Sequence, residues 1–263
     1  MTLLDRTLKS IIEMDTLQTI YNHRSIRSYK SDPISKEVLD NVLEAAIRTS
    51  TTGNMQVYSI IVTMDEDRKK ELHKIHFGQG MVLEAPVLLT FNADFNRFNK
   101  WCEQRNAEPG YDNFLSFFTA SIDALIAAQN ATLAAEAQGL GVCYLGTTTY
   151  QAAKLVDFFN LPDGVVPVTT LVIGYPKDIP ALVDRLPAEG VVHYEQYKDF
   201  NSTDIDRIYK DKEALEETKK LIEENNLETL AQIFTKNRYP KAMNVDFSKL
   251  FLDLIKKQGF MNQ

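Results

Sequence analysis

Apolar and polar positions follow two periods along this chain. Over residues 4–20, Leu4, Leu8, Ile11, Ile12 and Met14 fall at helical spacing. A polar, basic stretch from Asn22 to Tyr29 follows. After Pro33, Val38, Leu39, Val42, Leu43 and Ala46 lie on one face of a second helix. Ser35 suits its N-cap, because a hydroxyl there can accept from a first-turn N–H. The hydroxyl-rich loop Thr49 to Asn54 leads to a β-branched run, Val57–Thr63, read as the first strand. A polar helix is expected over Asp65–His76 and is broken at Phe77-Gly78-Gln79-Gly80. A second strand, Ala85–Phe91, is followed by a stretch expected to be irregular through Pro109-Gly110.

The central segment, with Asp112 near its start and Gly139 just past its end, is apolar nearly all round and rich in alanine. That pattern predicts a helix packed on every side, within the core or across a dimer interface. Val142–Gly146 reads as a third strand and Gln151–Phe159 as a helix stopped at Asn160 to Gly164. Val165–Gly174 reads as a fourth strand, interrupted by Pro167 near its start. Beyond Pro176 charges dominate, with helix-forming stretches such as Glu213–Lys220 and a last amphipathic helix, Phe247–Lys257, ending at Gly259. The layout is α+β: one core to about residue 187, then a helical C-terminal extension over 195–263.

Composition narrows the class. Apolar residues make up 44% and charged residues 25% of 263 positions, the balance of an ordinary globular chain. With 11 Gly, 9 Pro and 2 Cys, collagen-like, disordered and disulfide-built chains are excluded. The net charge of −7 argues against non-specific nucleic-acid binding, though not against a local basic pocket. The first ten residues interleave charges with leucines, so no signal peptide is expected. Cys102 and Cys143 form no CxxC or zinc pattern, and a cytoplasmic protein with two free thiols is the expectation. Ser116, Thr119, Asp123, Gln129, Asn130 and Glu136 interrupt the longest apolar stretch, so no membrane span is expected there.

Few segments could carry chemistry. His23-Arg24-Ser25-Ile26-Arg27 gathers two guanidiniums, an imidazole and a hydroxyl, donors suited to phosphate, although an isolated Arg pair is more commonly a solvated basic loop. Thr49 to Asn54 could approach a ligand closely or simply end a helix. The glycines at 139, 141 and 146 do not make a dinucleotide fingerprint, because they follow a helix and open a strand. Gly139 and Gly141 read as the turn between helix and strand, while Gly146 to Thr149 could face a ligand. Asp184-Arg185-Leu186-Pro187 says little alone. His73 and His76, one turn apart on a polar helix, read as two solvated histidines, with no metal site expected.

In this order the segments resemble the FMN-dependent nitroreductase family, specifically its oxygen-insensitive NADPH nitroreductase and NADPH-flavin oxidoreductase branch. The resemblance runs from about His23 to Tyr197 and returns at 256–260. It rests on His23–Arg27, Thr49–Gly53 with Gln56, Ala93–Arg97, Ala128–Ala131, the Gly-Leu-Gly turn with Tyr144, and Arg185-Leu-Pro. It implies a mixed sheet with helices on both faces, a homodimer with FMN at the subunit interface, and NADPH or NADH as co-substrate. Hydride would pass through FMN to nitroaromatic, quinone or flavin acceptors, with no catalytic side chain required. On this resemblance His23, Arg24, Ser25, Arg27, Thr51, Gln79, Tyr144, Leu145, Gly146 and Thr147 contact FMN, and Arg185 holds its phosphate. Gly53 and Asn54 lie beside the open face of the ring, and Lys236 and Arg238 represent the nucleotide-gripping loop. The chain departs from the family pattern at Asn54, at Thr149, at Val183-Asp184 and at Pro240 within that loop. A different flavin reaction on this scaffold and a non-enzymatic flavin-binding protein are the alternatives.

Overall fold

The computed structural model describes residues 16–263, so most of the helix expected over 4–20 lies outside the described residues. Helix α1 (Thr16–Tyr21) is followed by α2 (Lys36–Ile47). Ser35 caps α2 as expected, its Oγ accepting from the Val38 N–H. Strand β1 (Tyr58–Thr63), α3 (Glu66–Ile75), α4 (Met81–Glu84) and β2 (Val87–Asp94) come next. Asn96–Gln104, expected to be irregular, forms α5, which buries Cys102. The central helix α6 (Phe114–Ala137) starts from an Asn113 cap, and Gly139 follows it at φ +78°. Strand β3 (Gly141–Tyr144), α7 (Thr147–Tyr150), α8 (Ala152–Phe159) and β4 (Val165–Gly174) complete the core elements.

The strands form one sheet in the order β1-β2-β4-β3, and every ladder is antiparallel. A single isolated bridge between Ser25 and Val142 supplies the parallel pairing among the described residues. Central strands are covered on both faces and therefore read as continuous apolar runs. In β2 all eight residues are buried. Their side chains alternate: Leu89, Phe91, Leu171 and Ile173 pack with α2 and α6, while Leu88, Val172 and Cys143 pack with α3, α4 and α8. Pro167 does not interrupt β4. The register shifts between Phe91 and Asn92 of β2, so that Val168 bulges and Pro167, which has no N–H to donate, is tolerated.

Within the chain, helix α6 is packed on one side only. Its alanines face the core, but Leu115, Phe118, Ile122, Leu125 and Ile126 form an exposed stripe, with Leu115 71% accessible. The chain alone does not pack this helix on every side.

The chain divides into two compact units. The second is Leu182–Lys249, and the first comprises the preceding described residues together with Leu250–Gln263. Within the second, α9 (Ser202–Ala214) opens on a capping box between Asn201 and Asp204. A break at Leu215 splits the expected helix over 213–220 and starts α10 (Glu216–Glu224). Helix α11 (Leu230–Gln232) runs into a π-helical segment, Ile233–Arg238. The last helix, α12 (Lys241–Lys257), starts six residues before the expected Phe247. Its C-terminal part belongs to the first unit, where Phe260 is fully buried against Phe95 and Phe117.

Candidate functional site

The basic segment 23–27 is fastened to β3. The Ile26 N–H donates to Val142 O at 2.8 Å, and Ser25 bridges the same residue. Gly141 permits this approach: a Cβ there would lie 2.5 Å from Ile26 Cγ1 and 2.7 Å from Ile26 Cβ. Its role is therefore close packing against the basic segment, beyond the turn read from the sequence. On the other side, His23 Nδ1 meets Glu136 Oε1 of α6 at 2.7 Å. Burial pushes the Glu136 carboxyl up, against the pull of His23. Arg24 donates from a terminal nitrogen to Asn22 O at 2.7 Å, and Arg27 is exposed.

The end of β3 carries the next predicted residues. Tyr144 is held to α6, its hydroxyl donating to Gln129 Oε1 at 3.1 Å and accepting from Thr132 Oγ1 at 3.2 Å. Burial pushes its phenol up. Leu145 is buried, its N–H bonded to Thr170 O, and Gly146 and Thr147 turn the chain into α7. Gln79 arrives from the break after α3, where Phe77 and Gly78 take positive φ. Its amide nitrogen lies 3.2 Å from Thr147 Oγ1 and 3.1 Å from His76 O.

His76 corrects the expectation of two solvated histidines. It is fully buried, its Nδ1 is 2.8 Å from Thr147 Oγ1, and burial lowers its pKa to about 4. It belongs to no cluster of potential metal ligands among the described residues.

The loop of Thr51, Gly53 and Asn54 forms a 3-10 turn, Thr52–Asn54. Gly53, Asn54 and Gln56 all take positive φ, a conformation free to glycine, tolerated by asparagine and uncommon for Gln56. The Thr52 N–H donates to Asp123 Oδ1 of α6 at 2.9 Å, while the Gln56 amide donates to Asn54 Oδ1 and Arg97 to Gln56 O. Sequence reasoning singled out none of Glu136, Asp123 or His76 for a role here, and each acts through a contact distant in the chain.

Arg185, Lys236 and Arg238 lie in the second unit. Arg185 donates to the carbonyls of Val183 and Asp184, and Arg238 stands 5.4 Å over the Phe234 ring within the π-helical segment.

Buried polar groups are normally paired, so an unpaired one is available to a ligand. Arg24 Nε and Glu136 Oε2, on either side of His23, are buried without a hydrogen-bond partner among the described residues. Two arginines, a hydroxyl and a histidine beside the start of β3 suit a phosphorylated, polar-edged cofactor such as FMN.

Comparison with known proteins agrees. The model described as the nitroreductase family matches residues 20–175. The FMN reductase (NADPH) of Bacillus subtilis is 34% identical over 185 residues, covering 70% of this chain and 74% of that protein. A solved structure from Bacteroides fragilis superposes with a TM-score of 0.91 at 49% identity, covering 93% of this chain and 99% of that one. The NfrA1 nitroreductase of B. subtilis gives a TM-score of 0.83 at 29% identity over 95% of this chain and all of that one.

Proposed function

Because the chain belongs to the nitroreductase family, we propose that it is an FMN-dependent oxidoreductase. It takes hydride from NADPH or NADH and delivers it to nitroaromatic, quinone or flavin acceptors in ping-pong turnover. The parallel bridge between Ser25 and Val142 carries the reading at the level of the site, because it fastens the basic segment to β3, the strand that runs on into Tyr144–Thr147.

Bound FMN supplies a ring that accepts hydride and releases it to a second substrate. The chain's residues hold that ring and neutralise it. Arg24, Arg27 and Arg185 bind the phosphate, Arg24 through an N–H left without a partner. His23, kept in place by Glu136, and Ser25 add polar contacts at the same end. Tyr144, Leu145, Gly146, Thr147 and Gln79 line the cofactor, and Thr51 contacts it from the Asp123-fixed turn. Gly53 and Asn54 flank the face where substrates enter, and Lys236 and Arg238 receive the phosphates of the nicotinamide nucleotide.

The enzyme works as a homodimer with FMN at the subunit interface. Support comes from the exposed stripe of α6, which a second copy would cover. Asp123 and Glu136, which hold the two cofactor-facing segments, are separated by about 20 Å along α6. That span separates the Thr51 turn from the basic segment, an arrangement that fits a site shared between two chains. The protein acts in the cytoplasm. Its two cysteines are free thiols, and no helix among the described residues is long and apolar enough to cross a membrane.

The test is direct. Purified protein titrated with FMN should quench its fluorescence at one site per chain, then oxidise NADPH or NADH with menadione as acceptor and give parallel double-reciprocal plots. Absence of FMN binding, or intersecting plots, would overturn the proposal.

A further inference from the structure

The hydrogen bonds around Gln79 determine which atom it offers to the flavin site. His76 O is a backbone carbonyl and can only accept, so the Gln79 side-chain atom 3.1 Å from it is the amide nitrogen. The second N–H of that nitrogen goes to Thr147 Oγ1 at 3.2 Å. Thr147 Oγ1 keeps a second lone pair and its proton, so it bonds to His76 Nδ1, 2.8 Å away, in either imidazole tautomer. The other ring nitrogen, His76 Nε2, is buried and has no hydrogen-bond partner among the described residues. Both Gln79 N–H groups are used, and its Oε1 is left to accept.

We propose that His76 is a positioning residue: by its hydrogen bond to Thr147 it locks the Gln79 carboxamide so that a carbonyl oxygen, not an amide N–H, faces bound FMN at the nitrogen that receives hydride. The inference rests on Gln79 lining the flavin, as proposed above. An acceptor fixed there favours flavin N–H groups, and a ring gains an N–H when it receives hydride. Set against the nitrogen that gains its N–H with hydride, the locked oxygen favours the reduced ring. Burial lowers the His76 pKa to about 4, which keeps the imidazole uncharged at neutral pH. Three groups bonded in series also polarise one another, so the network should respond as a unit.

The experiment is a double-mutant cycle read by the flavin midpoint potential and by FMN affinity from fluorescence quenching. His76→Leu should make the bound flavin harder to reduce and weaken FMN binding about three- to tenfold. Thr147→Val, which removes the central hydroxyl without emptying a cavity, should do the same. In a Gln79→Ala background His76→Leu should have no further effect on the potential. His76→Asn, which places an acceptor close to the Nδ1 position, should restore both quantities. Equal effects of His76→Leu with and without Gln79, or failure of His76→Asn to restore the potential, would overturn the positioning role. If FMN binds and Gln79→Ala moves neither quantity, this inference falls while the proposed function stands. If the native protein binds no FMN, both fall.

Discussion

Gly141→Ala tests how the basic segment is held to the sheet. The added Cβ would lie 2.5, 2.7 and 2.9 Å from Ile26 Cγ1, Cβ and Cγ2. Ordinary carbon contacts are about 3.5–4.0 Å. Because the Cβ of Ile26 is among the crowded atoms, no rotamer of that side chain removes the clash. The segment 23–27 must withdraw by about 1 Å, which stretches the 2.8 Å bond from Ile26 N–H to Val142 O beyond hydrogen-bonding range. The lost bond costs about 1 kcal/mol and the overpacking about 1–3 kcal/mol, so the variant should be about 2–4 kcal/mol less stable. Arg24 and Ser25 move with Ile26. Losing one charge-assisted bond to the cofactor costs about 1.5–3 kcal/mol, or about 10- to 100-fold in the FMN Kd. Urea melts and fluorescence titrations measure the two quantities. Gly139→Ala is the control: nothing lies within 4 Å of its added Cβ, but φ is +78°. It should lose about 1 kcal/mol of stability and keep its FMN affinity. A Gly141→Ala protein with native stability and native FMN affinity would refute the reasoning.

Three further outcomes are expected. Arg185→Ala should weaken FMN retention about 10- to 100-fold in the same titration, and an unchanged Kd would remove Arg185 from the phosphate site. Phe118→Lys, on the exposed stripe of α6, should shift the protein from dimer to monomer in light scattering and reduce bound FMN; a dimer that persists would move the interface elsewhere. His76 is neutral when folded, with a pKa lowered from 6.5 to about 4, whereas the unfolded imidazole takes up a proton below 6.5. Its contribution is present above about pH 6.5 and is lost as pH falls through about 4, roughly 3 kcal/mol in all. Urea melts across that range should slope less steeply for His76→Asn.

Legibility followed how local the determinants are. The Ser35 cap and the β-branched runs of β1 and β4 depend on near neighbours and were readable. Helix α5 was readable in principle, since Phe95, Phe98 and Cys102 share a face, but Arg97, Asn99 and Lys100 obscured the stripe. His76 was misread because its helix looks polar throughout. Its buried face is Lys69, Leu72 and His76, and Lys69 is satisfied by Glu66 and the Ala85 carbonyl. Nothing near Asp123 or Glu136 in sequence indicates that one holds the Thr52 turn and the other His23. The apolar circumference of α6 was legible as packing, whereas the exposure of one face in a single chain depends on the tertiary fold. The Arg24 and Arg27 pair was visible as basic residues in an acidic chain, and the family resemblance gave it a ligand.

The central claim, that this chain binds FMN and turns it over with a nicotinamide nucleotide, is tested most directly by anaerobic stopped-flow of the FMN-loaded protein. Mixing with NADPH, and separately with NADH, should bleach the visible flavin band within the turnover time, and a nitroaromatic or quinone added afterwards should restore it. A flavin that binds and stays oxidised with both nucleotides would contradict the account.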